Sequence, residues 1–537
     1  MKPSLASLII AILFAQSVSM LAIDKAYVSK PNVLILYADD LGYGDVQCYN
    51  PQRGLIPTPN IDRLASEGMR FTDAHSASGV CTPSRYSLLT GRYPWRTRLQ
   101  NGVVTPFQPP LIPPGRMTIA SLAKLQGYRT ACIGKWHLGL GWAIEDLPGK
   151  LPLLVQKPIP ADDEGTPLPS AESVELWREI FSKPIANGPT TLGFDRFFGT
   201  DAPNYPPYCF IENDRTAGIP SVYLPHEKLV KNQASWQGPA MKDWRLEDIL
   251  PSLGDQAVSF IDEAAKAKEP FLMYLALTSP HTPLAVNEPW RGKSGLNEYA
   301  DFVMETDAFV GRILDALEAS GEARHTLVIL TSDNGCTPGI GVDALEKKGH
   351  FPSADLRGYK ASAWEGGHRV PFIVRWPGVI EPGQICPQLV GQSDLLATLA
   401  DVFDTTLPEN AGEDSISFLP LLKGFNQPVR ELAVSCSLHG VPALRQGPWK
   451  LIFGNASHFL DAPSQPQPIQ LYNLEQDPAE TTNLAEKNPQ RVAKMKSLME
   501  KIIADGRSTP GPPQENDVAV IRHPTATAKL PATTRLD

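Results

Sequence analysis

The sequence predicts an α/β fold: a central sheet covered by helices on both faces, followed by a smaller C-terminal α+β unit. Three observations predict it. Val33–Ala38 reads VLILYA, a continuous β-prone run, and a strand apolar on both faces belongs in a sheet with helices on both sides. Less pure runs at Tyr128–Ile133, Phe271–Leu277 and Leu327–Leu330 alternate with helical patterns, the texture of an α/β chain. All four runs end in polar clusters: Asp39-Asp40, Gly134-Lys135-Trp136-His137, Ser279-Pro280-His281 and Asp333-Asn334. Ligands of α/β sheets bind at the carboxyl ends of the strands, so these clusters sit where a site is expected.

The elements follow in order. Residues 1–22 read as a signal peptide: Lys2, the apolar run Leu8–Ala15, then small Ser17 and Ser19 flanking Val18. Export is the consequence, to the periplasm or outside the cell, or into the secretory or lysosomal route of a eukaryote. No later stretch reaches the roughly 18 apolar residues of a membrane span. The main unit is expected over residues 31–422. Within it Thr58-Pro59 starts a helix that stops at Gly68, and Ser121–Gln126 precedes the stop at Gly127. Tyr299, Phe302, Val303, Thr306, Phe309, Val310, Ile313, Leu314 and Leu317 recur at helical spacing. Residues 143–255 are rich in proline and weakly periodic, and read as an insertion at the mouth of the pocket. From 423 to 506 the short segments Leu432–Ser435 and Trp449–Phe453, then a helix bearing Val492, Met495, Leu498, Met499 and Ile502, form the α+β unit. Residues 507–537 read as a loose tail.

Composition narrows the function. The chain has 537 residues, 42% hydrophobic and 20% charged, which is globular, and a formal charge of −9 gives no general attraction to nucleic acid or anionic lipid. Seven scattered cysteines are too few for a disulfide scaffold. Asp39, Asp40, Asp333 and Asn334 are hard oxygen donors, a set suited to Ca²⁺ rather than Zn²⁺. Lys135, His137, His281 and Lys360 add groups that grip an anion or hand over a proton. Cys81 stands just before Pro83 at the start of a helix, where backbone N–H groups favour an anion. Taken singly, each has a bland reading: a lone Cys is usually core packing, and an Asp-Asp pair is usually a solvated turn.

The wider string changes that balance. Cys81-Thr82-Pro83-Ser84-Arg85, followed by Ser87-Leu88-Leu89-Thr90-Gly91-Arg92, resembles the signature of the type I sulfatases, arylsulfatase A-like. Further blocks resemble the family in the same order: Pro31-Asn32 through Asp39-Asp40-Leu41-Gly42-Tyr43-Gly44-Asp45, Gly134-Lys135-Trp136-His137-Leu138-Gly139, Ser332-Asp333-Asn334-Gly335 and Lys360 to Pro371. Leu471-Tyr472-Asn473-Leu474 with Asp477-Pro478 looks like the family's C-terminal subdomain.

The resemblance implies an alkaline-phosphatase-like sandwich with a large mixed central sheet. It implies that Cys81 is converted to Cα-formylglycine by a formylglycine-generating enzyme, and that one Ca²⁺ is held by Asp39, Asp40, residue 81, Asp333 and Asn334. By the same resemblance Arg85 and Lys135 steady residue 81, Asp333 is the base that activates its gem-diol, His137 assists breakdown of a covalent sulfo-enzyme, and His281 and Lys360 contact sulfate and serve the leaving oxygen. The implied partner is a sulfated oligo- or polysaccharide, with aryl sulfates as artificial substrates. Residues 349–357 are read as lining the sugar subsite. Two alternatives stand beside this reading: a phosphatase or phosphodiesterase of the same superfamily, disfavoured because Asn334 rather than His follows Asp333, and a non-catalytic sulfated-glycan-binding protein.

Overall fold

The apolar run at residue 33 becomes the middle of a ten-stranded mixed sheet in the computed structural model, which describes residues 30–144, 149–157, 165–229, 235–457 and 468–520. The expected signal peptide and residues 521–537 lie outside the described residues. In chain order the strands are β1 (Asn32–Ala38), β2 (Met69–Phe71), β3 (Arg129–Lys135), β4 (Arg196–Thr200), β5 (Ile211–Glu212), β6 (Arg215–Thr216), β7 (Phe271–Ala276), β8 (Thr326–Ser332), β9 (Phe372–Arg375) and β10 (Gln384–Cys386). Their order across the sheet is β10-β2-β9-β8-β1-β7-β3-β4-β5-β6. The five central strands, β8 to β4, run parallel, and β9 turns antiparallel against β8.

Side chains on β1 alternate between two cores, as the period of two in a strand requires. Val33, Ile35 and Tyr37 pack on one face with Leu88, Leu89, Ile119, Leu122 and Leu395. These come from α2 (Cys81–Thr90), α3 (Ile119–Leu125) and α7 (Leu395–Val402). Leu34, Leu36 and Ala38 pack on the other face with α1 (Pro59–Ser66), α5 (Ile249–Ala267) and α6 (Glu298–Ser320). The expected long helix is α6, whose N-cap Asn297 accepts from the Ala300 N–H. With helices on both faces of a large mixed sheet, the fold is the alkaline-phosphatase-like α/β sandwich.

Parallel register lines up the strand ends. Ala38 pairs with Ser332 and Tyr37 with Ala276, which in turn pairs with Gly134. The next residues along each strand therefore emerge side by side at one edge. Gly134 is required there: its φ is +118°, and a Cβ would stand 1.8 Å from the Ala276 carbonyl oxygen.

The C-terminal sheet is an antiparallel meander of β11 (Leu432–Cys436), β12 (Pro442–Gln446), β13 (Trp449–Ile452) and β14 (Gln470–Asn473). Its Val434, Leu444, Leu451 and Leu471 pack on Met495, Met499, Ile502 and Ile503 of α8 (Pro489–Ala504), and Tyr93 and Trp95 join them from the main body.

Two expectations are corrected. The stretch read as an insertion carries α4 (Ala171–Phe181), whose Leu176, Trp177, Ile180 and Phe181 are buried, and β4 to β6, which extend the main sheet. The part of the expected tail that is described is not loose: the Ser508 N–H bonds the Glu413 carbonyl at 3.0 Å, the Asp517 N–H bonds that of Arg96 at 2.8 Å, and Arg92 pairs with Asp517 at 3.0 Å. A strap held by hydrogen bonds needs no apolar pattern, so composition does not reveal it. No helix among the described residues is long and apolar enough to cross a membrane.

Candidate active site

Strand ends and one helix start build the site. Asp39 and Asp40 follow β1, Lys135 ends β3 with His137 just beyond, and Asp333 and Asn334 follow β8. Cys81 is the first residue of α2, and all ten residues of that helix are buried. No side chain caps its N-terminus, and Val80 at the cap is extended.

These residues meet in one buried cluster. Lys135 Nζ bonds Asp39 Oδ2 at 2.7 Å and Oδ1 at 3.0 Å, and the Cys81 Sγ lies 3.7 Å from Asp39 Oδ1. Arg85 donates to Asp333 Oδ2 at 2.8 Å and to the Lys135 carbonyl at 3.3 Å, and its Nη2 lies 3.3 Å from Asp39 Oδ1. Its guanidinium also sits over the Tyr37 ring, 5.2 Å from the centroid. Lys360 Nζ pairs with Asp40 at 2.7 Å, and His281 Nε2 lies 3.7 Å from Asp40 Oδ2. Asn334 Nδ2 donates to Asp40 Oδ1 at 2.7 Å, and the Asp40 N–H donates to Asp333 Oδ1 at 3.0 Å. His137 lies beside them, with Nε2 3.1 Å from the Val104 carbonyl and its ring edge-on to Tyr205. The structure thus gathers Asp39, Asp40, Cys81, Arg85, Lys135, His281, Asp333, Asn334 and Lys360, with His137 at their edge.

Strain marks the same place. Asp40, His137 and Ala361, the last adjacent to Lys360, hold φ of +65°, +53° and +76°. Non-glycine residues adopt this left-handed region rarely and at a cost, and three of the nine that do so among the described residues lie here.

The electrostatics separate the groups. Burial opposes ionisation of Asp39, but Lys135, His281, Arg85 and Lys360 outweigh it and hold the carboxyl well below the usual range. Asp333 is pushed up to about 7, by burial and then by the neighbouring charge of Asp39. Burial and Lys360 lower His281 to about 4, so it is neutral at pH 7. His137 is lowered too, by burial and then Lys135 and Arg85. Burial lowers Lys360, but the anionic groups around it, Asp40 first, raise it further, so it keeps its charge. The Cys81 thiol is driven up to about 12, chiefly by burial.

This donor set fits a hard divalent cation. Asp39, Asp40, Asp333 and Asn334 present oxygens from two adjacent strand ends, and ligand atoms of Asp39, Asp40, Cys81 and His281 all lie within 4.8 Å of one another. Asn334 Oδ1 is buried with no hydrogen-bond partner, which a carbonyl oxygen tolerates when its lone pairs serve a cation.

Sequence reasoning missed Asp201 and Tyr205. The run Phe197–Thr200 of β4 ends in Asp201 just as β1 ends in Asp39, and β4 lies beside β3, so the strand-end pattern was available. The Asp201 carbonyl accepts from the His137 N–H at 2.9 Å, and its Oδ1 is buried without a partner. The expected sugar-subsite stretch is corrected at one point, His350. His350 is fully buried, with Nε2 on Asp45 at 2.9 Å and Nδ1 accepting from the Leu55 N–H. Arg357 stacks on Trp364 and donates to the Glu480 carbonyl at 2.7 Å. The buried His350 holds structure in place, whereas Arg357 is exposed. All seven cysteines are unpaired.

Known proteins carry the same architecture. The sulfatase family model matches residues 31–405, and that of the N-sulphoglucosamine sulphohydrolase C-terminal region matches residues 359–507. An N-acetylgalactosamine-6-O-sulfatase of Bacteroides thetaiotaomicron is 33% identical over 88% of this chain and 93% of its own length. Human arylsulfatase A is 30% identical over 92% of each chain. A solved sulfatase structure from work on glycosaminoglycan metabolism by Bacteroides thetaiotaomicron superposes with a TM-score of 0.73 at 30% identity, covering 88% of this chain and 99% of that one. Fold and site define an ester hydrolase of the alkaline-phosphatase-like class. Within that class the chain belongs to the sulfatase family, and it is a sulfuric ester hydrolase.

Proposed function

We propose that the protein is an exported carbohydrate sulfatase that acts through a formylglycine at position 81 and one Ca²⁺. The observation that carries the reading is the placement of residue 81. Its side chain is buried against Asp39 and surrounded by the cations Lys135, Lys360 and Arg85, a setting for an anion. The thiol as such is a poor nucleophile there, because burial drives it up to about 12 and keeps it protonated at pH 7. As a hydrated aldehyde, residue 81 would supply one hydroxyl to attack sulfur and a second to expel the sulfate. Ca²⁺ held by Asp39, Asp40, residue 81, Asp333 and Asn334 would offset the charge of the transferring group.

The chain's own groups do the rest. Arg85 and Lys135 hold Asp39 and Asp333 in place and keep the neighbourhood of residue 81 cationic. Asp333 would take the proton from the nucleophile: Arg85 holds it beside Asp39, the carboxylate that Cys81 Sγ faces. Lys360 retains its proton, grips the anion and donates to the departing oxygen, with His281 beside it in contact with the sulfate. His137 serves the release of sulfate. A sulfated sugar is the substrate class supported by the relatives' names, one acting on N-acetylgalactosamine 6-O-sulfate and another solved with a neocarrahexaose.

The test has two parts. Mass spectrometry of the tryptic peptide 71–85, from protein made alongside the maturation enzyme, should show aldehyde in place of thiol at residue 81. That protein should release sulfate from N-acetylgalactosamine 6-sulfate. Full conversion with no release from any sulfated mono- or oligosaccharide would sink the substrate class, and unconverted but active protein would sink the nucleophile.

A further inference from the structure

A second buried cluster of titratable groups joins the main body to the C-terminal sheet. His75 and His368 meet Nδ1 to Nδ1 at 3.0 Å. On one side His75 Nε2 lies 2.8 Å from Asp73 Oδ1, and on the other Lys450 Nζ of β13 lies 3.1 Å from His368 Nε2. Lys450 also pairs with Glu365 at 2.9 Å and Glu480 at 2.8 Å. Arg445 reaches Asp73 at 3.3 Å, and Arg369 lies 3.4 Å from Glu365 and 3.7 Å from Asp73. His75, Glu365 and His368 bring ligand atoms close enough for a metal. Lys450 already donates to two of those three residues, to Glu365 at 2.9 Å and to His368 at 3.1 Å.

Two orders of donors and acceptors compete, and the Lys450 ammonium decides between them. An ammonium only donates, so His368 Nε2 accepts from Lys450. A neutral His368 therefore carries its proton on Nδ1 and gives it to His75 Nδ1, which leaves the His75 proton on Nε2, facing Asp73. The reverse order would place an Nε2 proton of His368 on the Ala363 carbonyl at 3.2 Å and set two donors against each other 3.1 Å apart. Charge is compatible with this order, since the three carboxylates Asp73, Glu365 and Glu480 are matched by Arg369, Arg445 and Lys450 without a charge on either ring.

This chain brackets the segment that delivers the nucleophile. Residues 76–80 run from His75 to Cys81. The Ser76 N–H bonds the His368 carbonyl at 2.9 Å, Ser435 Oγ bonds the Ser76 carbonyl at 2.7 Å, and the Cys436 N–H bonds that of Ala77 at 3.0 Å. Ser78 Oγ and the Gly79 N–H both bond the Cys436 carbonyl, and the Ala361 N–H beside Lys360 bonds that of Gly79 at 2.7 Å.

We propose that Asp73, His75, His368 and Lys450 are positioning residues: a one-way chain of two neutral histidines through which the C-terminal sheet fixes segment 76–80, and with it the placement of residue 81. The inference rests on the proposed sulfatase reaction for its kinetic readout only. In the full-length matured enzyme, Lys450→Met should lower kcat about 100-fold, the scale of an ångström-level misplacement. KM should stay within about twofold, because binding of the ground state is untouched. Amide exchange in peptide 71–85 should rise about tenfold while β1 and β8 keep their protection, as local rather than global opening requires. Unchanged kcat and exchange, or exchange that rises equally throughout the main sheet, would overturn the proposal. If that variant fails to fold, ¹⁵N spectra of the histidine-labelled wild type decide: they should show two neutral rings protonated on His368 Nδ1 and His75 Nε2, and an imidazolium at either ring overturns the chain. A wild type that releases no sulfate would defeat the sulfatase reading, while the exchange and ¹⁵N measurements would still settle this one.

Discussion

Two buried clusters of charge show how differently one chain can treat ions removed from water. Beneath α8, Arg96 grips Asp414 in two parallel bonds of 2.8 Å, gives its remaining nitrogen to the Ile502 carbonyl and Asn516, and leaves Asp414 Oδ2 also accepting from the Tyr93 N–H. Arg430 does the same with Asp394 and adds the carbonyls of Leu432 and Asp414. Each side-chain donor and acceptor of Arg96, Asp414, Arg430 and Asp394 is matched. At the strand ends the same ingredients are left open: Asn334 Oδ1, His137 Nδ1 and Arg85 Nε are buried without partners, and three carboxylates converge. A closed ionic cluster fixes structure, whereas an open one stores demand for a ligand.

The largest test of that difference is removal of one atom at the open cluster. Cys81→Ala deletes the nucleophile and should cost at least about 10⁴-fold in kcat, as loss of a nucleophile does elsewhere. Its thermal midpoint should stay within about 2 °C of the wild type, because the thiol makes a single long contact, 3.7 Å from Sγ to Asp39 Oδ1. Retained sulfate release would remove residue 81 from the chemistry. The mirror experiment is Asp414→Ala at the closed cluster. Stranding buried Arg96 should destabilise the protein by about 3–5 kcal/mol in denaturant titration. Sulfate release per folded molecule should stay within about twofold. A large loss of kcat with intact stability would show that the two clusters are coupled after all.

Metal removal sharpens the contrast next. Chelation should abolish turnover, and Ca²⁺ should restore it. At 100 times its dissociation constant, the ion should raise unfolding free energy by about 2.7 kcal/mol. The Asp414→Ala protein should gain the same increment, since its lesion lies outside the open cluster. No stabilisation by Ca²⁺ in the wild type would rule out the oxygen-rich site as its home.

What the sequence revealed, and what it hid, follows the same line. Strands buried on both faces must be apolar throughout, so β1, β7 and β8 announce themselves, and parallel register then brings Asp39, Asp333 and Lys135 together. The long face from Tyr299 to Leu317 is equally plain, because a covering helix needs one apolar stripe. β4 reads only RFFGT within a proline-rich stretch, so Asp201 was not seen to belong to the row of strand ends. The strap at residues 508–517 rests on hydrogen bonds and ion pairs with Glu413, Arg92 and Arg96, which leave no periodicity. His75 and His368 lie almost 300 residues apart, and nothing in either's neighbours along the chain states that their rings touch. Chemistry carried by strand ends is readable in one dimension, whereas polar networks closed between distant segments are not.

The smallest effect distinguishes the clusters by pH. Burial would raise the Asp414 carboxyl, but Arg96 overrides it and holds the group below the ordinary range. A depressed carboxyl contributes stability that is fully present above its unfolded value, about 4, and that is lost as pH falls through the lower folded value. Asp414→Asn has no such titration. The stability advantage of wild type over Asp414→Asn should therefore be constant from pH 7 to about 5 and shrink below about 4, by up to about 1.4 kcal/mol per pH unit. Urea titrations of both proteins with Ca²⁺ held saturating at each pH would measure it. An advantage that instead shrinks between pH 5 and 7 would mean that the Arg96 pair is not what holds this carboxyl ionised, and that the cluster beneath α8 is less closed than its hydrogen bonds indicate.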